Sequence, residues 1–555
     1  MTSFRLDLSD FFRFVHTLRY LRAEQLIYRL YYRLGRRLVR IRALGALGVT
    51  FRRVWSAPWS SPTVTQRSLL SKGLFEFLGE RGQVSSAVDW NSPNKTKLWL
   101  YNLHYFDDLN AQGAGERAGL HAWLIDRWIR DNPPMAGNGW EPYPLALRIV
   151  NLVKWFSRTE DVPQEWIDSL ARQVQALYVQ EERHLLANHL FVDGKALVFA
   201  GVFFGGDVGQ RWLSRGLRIL DGEMQEQFLA DGGNFELSPM YHASLLWDVC
   251  DLIRLAQVAG LADLTQRIHS WRRVVTRGLD WLQLMCHSDG GISFFNDSAF
   301  GIAPTLGELI VYAEITGCES PRPTDPKLAV KHLSETGYAI IDWADGAHAI
   351  IDVAEVGPTY QPGHAHADTL SYEWSIFGQR VLVNSGTSQY GEDVERQRQR
   401  GTRAHNTVTI NGENSSEVWA GFRVARRARP FDLSFNCDGG RVVLSCAHDG
   451  YRRLSGSPVH RRRWEAGKGF FRITDRIEGG RCSAVSRLHV HPDVRLLSDG
   501  TLLLPGGQCL RFSVSGGVWG VQPSVWHPGF GQSVPNTCIE ISLSSAESVI
   551  EFTWG

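Results

Sequence analysis

The spacing of hydrophobic positions divides the chain into two parts. Between residues 118 and 316, apolar side chains recur every three to four positions. The run Leu145, Ile149, Leu152 is an example, and it is typical of a helix that buries one face. The same spacing predicts further helical segments over 164–205, 210–228, 241–258 and 262–283.

From about residue 337 the period becomes two, which predicts β-strands. The segment YAIIDWADGAHAIIDV places Asp345-Gly346 between two apolar runs, as in a tight hairpin. Further strands are expected in LSYEWSIF, RVLVN, HNTVTI, RVVLSCA, FFRITDRI, SRLHVH, LRFSVSG and SVIEFTW. So many short strands in succession indicate an antiparallel sandwich. Residues 319–326, which contain three prolines, are the predicted linker.

The helical part repeats one loop signature, Asp231-Gly232-Gly233 and Asp289-Gly290-Gly291. Such a repeat favours stacked helical hairpins whose connections gather on one face. The predicted fold class is therefore a multidomain α+β chain, with an incomplete N-terminal α/α toroid followed by a C-terminal antiparallel β-sandwich. The predicted divisions are a basic helical segment at 1–60, the toroid at 61–325 and the sandwich at 326–555.

Charge and cysteine content narrow the function classes. The 59 lysines and arginines nearly cancel the 58 aspartates and glutamates, so no overall field draws the chain to nucleic acid. The eight cysteines include no C-x-x-C pair, which argues against a zinc ribbon or a disulfide framework.

The N-terminal segment has a different character. Residues 1–50 carry ten arginines against three acidic residues, with leucines and aromatic residues interleaved at helical spacing. Such a helix either lies on an anionic membrane surface or docks on the protein body with its arginines turned outward. The segment lacks the apolar core of a secretory signal, and no later stretch is long enough to span a bilayer. The expected location is the cytoplasm or the periphery of the inner membrane.

Two polar clusters lie in the helical part where packing alone would not require them. Asn188-His189 interrupts an apolar helical segment, and an amide beside an imidazole suits the binding of a substrate carboxylate. Tyr241 follows the first Asp-Gly-Gly loop at the start of a helix, where a hydroxyl can reach a cleft, and Glu236 precedes it. Each cluster by itself is also compatible with a structural role.

Two more clusters lie in the strand region. His364 and His366 are two residues apart, so on an extended segment they share a face, which suits metal ligation or proton transfer. His405 begins another predicted strand. A local run of arginines precedes it, and these arginines are predicted to bind an acidic sugar: Arg396, Arg398, Arg400 and Arg403.

The order of these motifs resembles the heparinase II/III-like lyases and the related alginate lyases. The resemblance rests on Asn188-His189, Tyr241, His364-x-His366, the turn at Asn384 and His405-Asn406-Thr407, and it extends to WEPYPLALRIVNLVKW from Trp140. It implies a toroid followed by a sandwich, and β-elimination of an acidic polysaccharide that contains uronic acid. Trp140 and Glu236 are counted with the substrate-binding residues.

The resemblance also implies catalytic roles. Asn188 and His189 would neutralise the uronate carboxylate, so that the adjacent C5 proton can be removed through an enolate-like transition state. Tyr241 would protonate the leaving oxygen and, in one stereochemical course, also take the proton. His364 would be the base in the other course, and Tyr390 is a second candidate tyrosine.

Relatives hold a structural metal at positions that correspond here to His366, Asn384 and His405. The middle ligand there is usually aspartate, and an asparagine amide is a weaker ligand for zinc. The expected cofactor is therefore a structural divalent metal, zinc first. A weakened site, a different ion, or two histidines that hydrogen-bond without a metal remain open alternatives.

The function also has alternatives at this point. A uronate C5-epimerase uses the same proton abstraction, and a non-catalytic glycan-binding protein would keep the groove without turnover. The N-terminal segment favours action on a polymer that is being synthesised, such as an exopolysaccharide.

Overall fold

The computed structural model describes residues 8–45, 53, 55–321 and 327–555. Three helices, α1 (Leu8–Leu18), α2 (Ala23–Leu34) and α3 (Arg36–Leu44), form the N-terminal segment. They dock on the protein body by one side. Val39 and Ala43 of α3 are buried, Arg22 just before α2 pairs with Glu226, and Glu24 of α2 pairs with Arg183. The opposite side of these helices faces solvent.

The helical half begins with a small antiparallel sheet and continues as helices that pack mostly on the next helix or the next but one along the chain. The sheet comprises β1 (Leu69–Ser71), β2 (Leu74–Phe77) and β3 (Glu80–Gln83). The helices are α4 (Lys97–Tyr105), α5 (Ala118–Asp131), α6 (Pro142–Phe156), α7 (Gln164–Val179), α8 (Ala187–Phe203), α9 (Gly206–Gln227), α10 (Pro239–Ala259), α11 (Ala262–Thr265), α12 (Ile268–Leu284) and α13 (Leu306–Thr316).

The C-terminal half is a sandwich of two antiparallel sheets. Its strands are β4 (Ala329–Leu333), β5 (Tyr338–Asp342), β6 (His348–Asp352), β7 (Tyr372–Ile376), β8 (Gln379–Leu382), β9 (Val408–Ile410), β10 (Val418–Trp419), β11 (Arg423–Val424), β12 (Pro430–Asp438), β13 (Arg441–His448), β14 (Val459–Gly467), β15 (Phe470–Glu478), β16 (Ala484–Val490), β17 (Arg495–Leu496), β18 (Thr501–Leu503), β19 (Cys509–Ser515), β20 (Gly517–Trp526), β21 (Val534–Leu543) and β22 (Glu547–Thr553).

One sheet has the order β20-β21-β16-β8-β7-β6-β5-β4, with β9 beside β16. The other has the order β12-β13-β14-β15-β22-β19-β18-β17, and apolar side chains of both sheets meet between them. A separate pair, β10 with β11, and the short helix α14 (Val394–Arg400) lie outside the two sheets. The predicted hairpin at Asp345-Gly346 joins β5 to β6, with Gly346 at φ +83°.

The two Asp-Gly-Gly loops dock the helical half onto the sandwich. Asp231 accepts hydrogen bonds from the backbone and the hydroxyl of Thr336, at 2.8 Å each. Asp289 pairs with Arg380 of β8 at 2.7 Å. The repeated loops therefore lie against the same half of the molecule, as their signature predicted.

The structure divides the predicted helical segment 164–205 into α7 and α8. Leu186 and Ala187 have φ of +66° and +54°, a left-handed conformation that no helix continues through. The predicted linker lies partly outside the described residues. Among the helices that are described, none is long and apolar enough to cross a membrane.

Candidate functional site

The candidate site lies where the ends of α8 and α10 meet the sandwich. Asn188 is in the first turn of α8, and Tyr241 is in the first turn of α10. Ser238 caps α10 by accepting the backbone N–H of Tyr241 at 3.2 Å, and Pro239 occupies the first helical position. These features fix both side chains at helix N-termini, where the helix dipole favours a negatively charged ligand.

Positive backbone φ angles occur in three segments that contribute to the site. Residues other than glycine adopt positive φ at Ala187 (+54°), Leu237 (+60°) and Asn296 (+57°). These residues adjoin Asn188, Glu236 and Asp297. Such conformations cost about 1–3 kcal/mol each and concentrate at functional sites, where the surrounding structure maintains them.

His364 is held in a defined orientation by Asp297. Its Nδ1 lies 2.9 Å from Oδ2 of Asp297, and because a carboxylate only accepts, Nδ1 is assigned the proton. Nε2 then keeps its lone pair, 3.3 Å from the amide nitrogen of Asn188 and 3.7 Å from a carboxylate oxygen of Glu236. His364 is thus arranged to take a proton at Nε2 beside the predicted carboxylate-binding amide.

Asp297 is fully buried and is the centre of an ionic network. Arg396 donates two hydrogen bonds to it, and His364 and His366 each contact it at 2.9 Å. Burial alone would raise the pKa of Asp297, but the Arg396 charge and the imidazole hydrogen bonds outweigh it and hold that pKa well below its usual range. Asp297 is therefore an ionised carboxylate that orients both histidines.

Two tyrosine hydroxyls complete the proton-transfer geometry. The oxygens of Tyr241 and Tyr390 are 2.9 Å apart, and the Tyr241 ring stacks on His364 with centroids 3.9 Å apart. Burial and the neighbouring Tyr390 raise the pKa of Tyr241 well above its ordinary value. Tyr241 is consequently protonated near neutral pH, which suits a proton donor.

His189 stands beside a carboxylate on the other side of Asn188. Its Nδ1 lies 2.8 Å from Glu182, and the Tyr143 ring packs against it at 4.8 Å. Burial lowers the pKa of His189, but Glu182 offsets this effect and the pKa lies above its usual value. The remaining nitrogen, Nε2, can offer a positively polarised N–H to an anionic substrate.

Glu236 and Trp140, predicted to bind substrate, are both buried. Glu236 accepts the backbone N–H of Asn188 at 3.2 Å, and burial raises its pKa. Trp140 donates its indole N–H to the carbonyl of Asn132 and packs beside Trp128, so its ring lies in the helical core. The predicted role of Trp140 in substrate binding has no exposed ring face to support it.

The four arginines of the basic run have different environments. Arg396 is committed to Asp297, and Arg400 is fully buried with hydrogen bonds to backbone carbonyls such as that of Ala365. Arg398 pairs with Glu395, and Arg403 lies exposed. Three of the four arginines therefore already bond to groups within the protein. The run serves largely to stabilise the site from inside.

The three predicted metal ligands, His366, Asn384 and His405, all have hydrogen-bond contacts within the protein. His366 and His405 adjoin each other, with Nδ1 and Nε2 3.1 Å apart. Asn384 turns its amide oxygen to the backbone N–H of Asn406 at 3.2 Å, and its amide nitrogen has no partner among the described residues. The amide therefore does not point a free oxygen at the histidine pair, and a carboxylate oxygen of Asp368 lies within 4.8 Å of a nitrogen of each histidine.

Three residues of the site were not predicted from the sequence. Asp297 and Glu182 orient the two key histidines, and Phe422, which is 44% exposed, presents an aromatic face 6.2 Å from the His364 ring. The polar triplet Asn296-Asp297-Ser298 between apolar neighbours was an available signal. It follows the second Asp-Gly-Gly loop much as Glu236 follows the first.

Comparison with known proteins adds a family and a set of relatives. The model described as Heparinase II/III N-terminus matches residues 69–305, and that described as Heparinase II/III-like, C-terminal, matches residues 325–555. A heparin-sulfate lyase of Pedobacter heparinus is 25% identical over 433 residues, which are 72% of this chain and 62% of that protein. The FtsZ-localized protein C of Caulobacter vibrioides is 24% identical over 453 residues, 75% of this chain and 74% of that protein.

The three matched lyases are longer proteins, of which this chain spans 49% to 62%. Among solved structures, one of heparinase III superposes with a TM-score of 0.65 at 15% identity and covers 96% of this chain and 92% of that chain. This likeness extends over both halves. It confirms the predicted order of a helical toroid followed by an antiparallel sandwich.

Proposed function

The chain belongs to the heparinase II/III-like family, and on that premise we propose that it is a polysaccharide lyase that cleaves uronic-acid-containing acidic glycans by β-elimination. One observation carries the proposal. His364, oriented by Asp297, lies between the Asn188 amide and the paired hydroxyls of Tyr241 and Tyr390. A base, a carboxylate-binding amide and a proton donor thus converge on one position.

The proposed reaction begins with binding of the uronate carboxylate to Asn188 and His189. Hydrogen bonds from the amide and from the imidazole N–H neutralise the carboxylate, so the charge that develops on removal of the C5 proton is stabilised. His364 takes that proton at Nε2. Tyr241 donates its hydroxyl proton to the departing glycosidic oxygen, and the C4–O bond breaks as the C4–C5 double bond forms.

A screen of uronate polymers tests this function. A lyase generates an unsaturated uronate, which adds ultraviolet absorbance and a new chain end with the mass of the eliminated product. A C5-epimerase would instead bring solvent deuterium into an uncut chain. Binding without either signal would support a non-catalytic glycan-binding protein and contradict the proposal.

A second candidate function is association with a cell-division protein. The observation that favours it is the match to FtsZ-localized protein C, which extends over about three quarters of each chain. Co-sedimentation of this chain with FtsZ polymers would support it. Because that experiment is independent of glycan turnover, the two functions can be accepted or rejected separately.

We also propose that the exposed side of α1–α3 contacts an anionic membrane surface, which would place the lyase beside a polymer under synthesis. Large hydrophobic side chains are exposed along it, among them Ile27 (63%), Leu34 (76%) and Ile41 (69%). Arginines lie exposed between them: Arg33, Arg36, Arg37 and Arg40. Apolar residues flanked by arginines suit insertion among acidic headgroups.

Flotation with vesicles tests this contact. The chain should float with vesicles containing phosphatidylglycerol and much less with pure phosphatidylcholine. Ile27→Glu should weaken flotation, whereas Val518→Glu, which alters an equally exposed apolar residue on β20, should not. Equal flotation of both variants and the parent chain would remove the N-terminal helices from the proposal.

A further inference from the structure

The N-terminal segment crosses the boundary between the two halves of the molecule. Its helix α1 contacts the C-terminal half, where the indole N–H of Trp419 in β10 donates to the hydroxyl of Thr17 at 3.1 Å. Helix α3 packs on α7 of the helical half. Helix α2 contacts both halves, at the two segments that lead into Asn188 and His364.

Gln25 of α2 joins the two halves through one side chain. It is fully buried, and its amide oxygen accepts a backbone N–H at the start of α2. Its amide nitrogen donates to the carbonyl of Leu185, three residues before Asn188, at 3.3 Å. The same nitrogen donates to the carbonyl of Tyr360, four residues before His364, at 3.4 Å. Both N–H groups of the amide are thus used, and a fully satisfied buried amide favours one arrangement of its neighbours.

A second side chain repeats the connection. The guanidinium of Arg22, just before α2, lies 3.7 Å from the centre of the Tyr360 ring. The same guanidinium pairs with Glu226 of α9, with one of its hydrogen bonds at 3.1 Å. Arg22 and Gln25 therefore both connect the helical half to the loop around Tyr360, and together they restrict the movement of that loop.

The segment of the helical half that α2 contacts depends on its surroundings. The pair Leu186-Ala187 has φ of +66° and +54°, and such strained conformations persist only where neighbouring structure maintains them. Two more contacts of α2 lie just before this pair. Glu24 pairs with Arg183 at 2.7 Å, and the hydroxyl of Tyr32 donates to the carbonyl of Glu181. Helix α2 thus supplies part of the structure that maintains the strain.

We propose that α2 is a positioning element of the catalytic site, in which Gln25, assisted by Arg22, holds the segments of Asn188 and His364 at the separation that the reaction needs. The proposal rests on the proposed lyase function. Asn188 and His364 come from different halves, and the Asn188 amide lies 3.3 Å from Nε2 of His364. A displacement of about 1 Å between reacting groups can cost ~10²-fold in rate. Gln25 acts through the two loop carbonyls and is therefore a positioning residue.

Steady-state kinetics of Gln25→Leu tests the catalytic part of the proposal. The variant should lower kcat at least ~10-fold and change KM only a few-fold, because the binding and proton-transfer groups stay present but lose their alignment. Gln175→Leu is the matched control. Gln175 of α7 donates its amide to the carbonyl of Arg42 in α3, so this variant removes a docking bond of the same N-terminal segment away from the site. Its kcat should match that of the parent chain.

Hydrogen–deuterium exchange of the full chain tests the positioning without reference to turnover. In Gln25→Leu, peptides that cover residues 183–190 and 357–366 should both exchange faster than in the parent chain, while the melting temperature changes little. Arg22→Gln alters a side chain that is 45% exposed, so this variant should fold even if Gln25→Leu does not. It should produce the same pattern of exchange to a smaller extent.

Three results would overturn the proposal. The first is unchanged exchange of both segments in Gln25→Leu, or in Arg22→Gln if the first variant does not fold. The second is faster exchange with an unchanged kcat, and the third is an equal effect of Gln175→Leu. A parent chain that turns over no uronate polymer would reject the lyase function instead, and the exchange experiment would still decide whether α2 holds the two segments.

Discussion

His364 and His366 are two residues apart and contact the same carboxylate, yet their surroundings differ. His364 is 8% exposed and contacts Asn188 and Tyr241, whereas His366 is 1% exposed and contacts His405. The Nε2 atom of His364 faces the amide nitrogen of Asn188, at 3.3 Å. The Nδ1 atom of His366 faces Nε2 of His405 instead, at 3.1 Å. Asp297 accepts a hydrogen bond from each imidazole, so one buried carboxylate orients two histidines that face different surroundings.

Asp297→Asn should have the largest effect, because it removes the group that both histidines share. The variant leaves the Arg396 guanidinium buried without its carboxylate, and breaking such a pair costs about 3–5 kcal/mol. Thermal melts and turnover assays should both show a loss. Asp289→Asn is the control, since its pair with Arg380 is 41% exposed on the aspartate side and should affect stability much less. Equal losses in the two variants would contradict the central place of Asp297.

Tyr241→Phe should affect only the His364 side. It removes the proton donor and little packing, so kcat should fall by ~10²–10⁴-fold while the melting temperature changes little. Tyr312→Phe is the matched control: it deletes a buried hydroxyl bonded to Asp251 in the helical core. Its turnover should match the parent chain. Activity of Tyr241→Phe within a few-fold of the parent would remove Tyr241 from the mechanism.

Asn188→Ala should reduce kcat more than it raises KM. The amide should bond the uronate carboxylate more strongly as charge develops during proton removal, and losing one such donor typically costs ~10²-fold. Steady-state kinetics on the best polymer from the screen measures the split. A higher KM with unchanged kcat would mean that Asn188 contributes only to ground-state binding.

Glu182→Gln should have the smallest effect on turnover at neutral pH. Glu182 holds the pKa of His189 above its usual value, so its loss should lower that pKa and deprotonate His189 at a lower pH. The alkaline limb of the pH profile of kcat/KM should therefore move to lower pH. An unmoved limb would show that the charge of His189 does not matter for catalysis.

Regular patterns made much of the fold predictable. The change of hydrophobic period separated the two halves, and the Asp345-Gly346 hairpin is confirmed in β5 and β6. Strand β14 was missed because its sequence reads as a charged run. Within it Arg462 is buried against Asp475, while Arg463 is about half exposed. The alternation is thus present, but it alternates between buried and partly exposed arginines, which hydrophobicity does not reveal.

The site was less predictable, because its assembly depends on long-range contacts. The structure brings together Asn188, Tyr241, His364 and Tyr390, which the family resemblance indicated, although their catalytic roles stay predictions. Asp297 was missed because it lies in a loop without periodicity. Arg396 was assigned to the substrate, since a sequence does not show that its partner lies 99 residues earlier.

That separation along the chain has a consequence for synthesis on the ribosome. Asp297 emerges 99 residues before Arg396, an interval of about 5–20 s at the usual ~5–20 residues per second. During this interval the helical half carries the Asp297 carboxylate, but the Arg396 guanidinium that pairs with it has not yet been synthesised. We expect the segment around Asp297 to stay hydrated and open until α14 arrives. The site therefore cannot close before α14 has been synthesised, and truncated chains that end before residue 396 should be substrates for quality-control proteases.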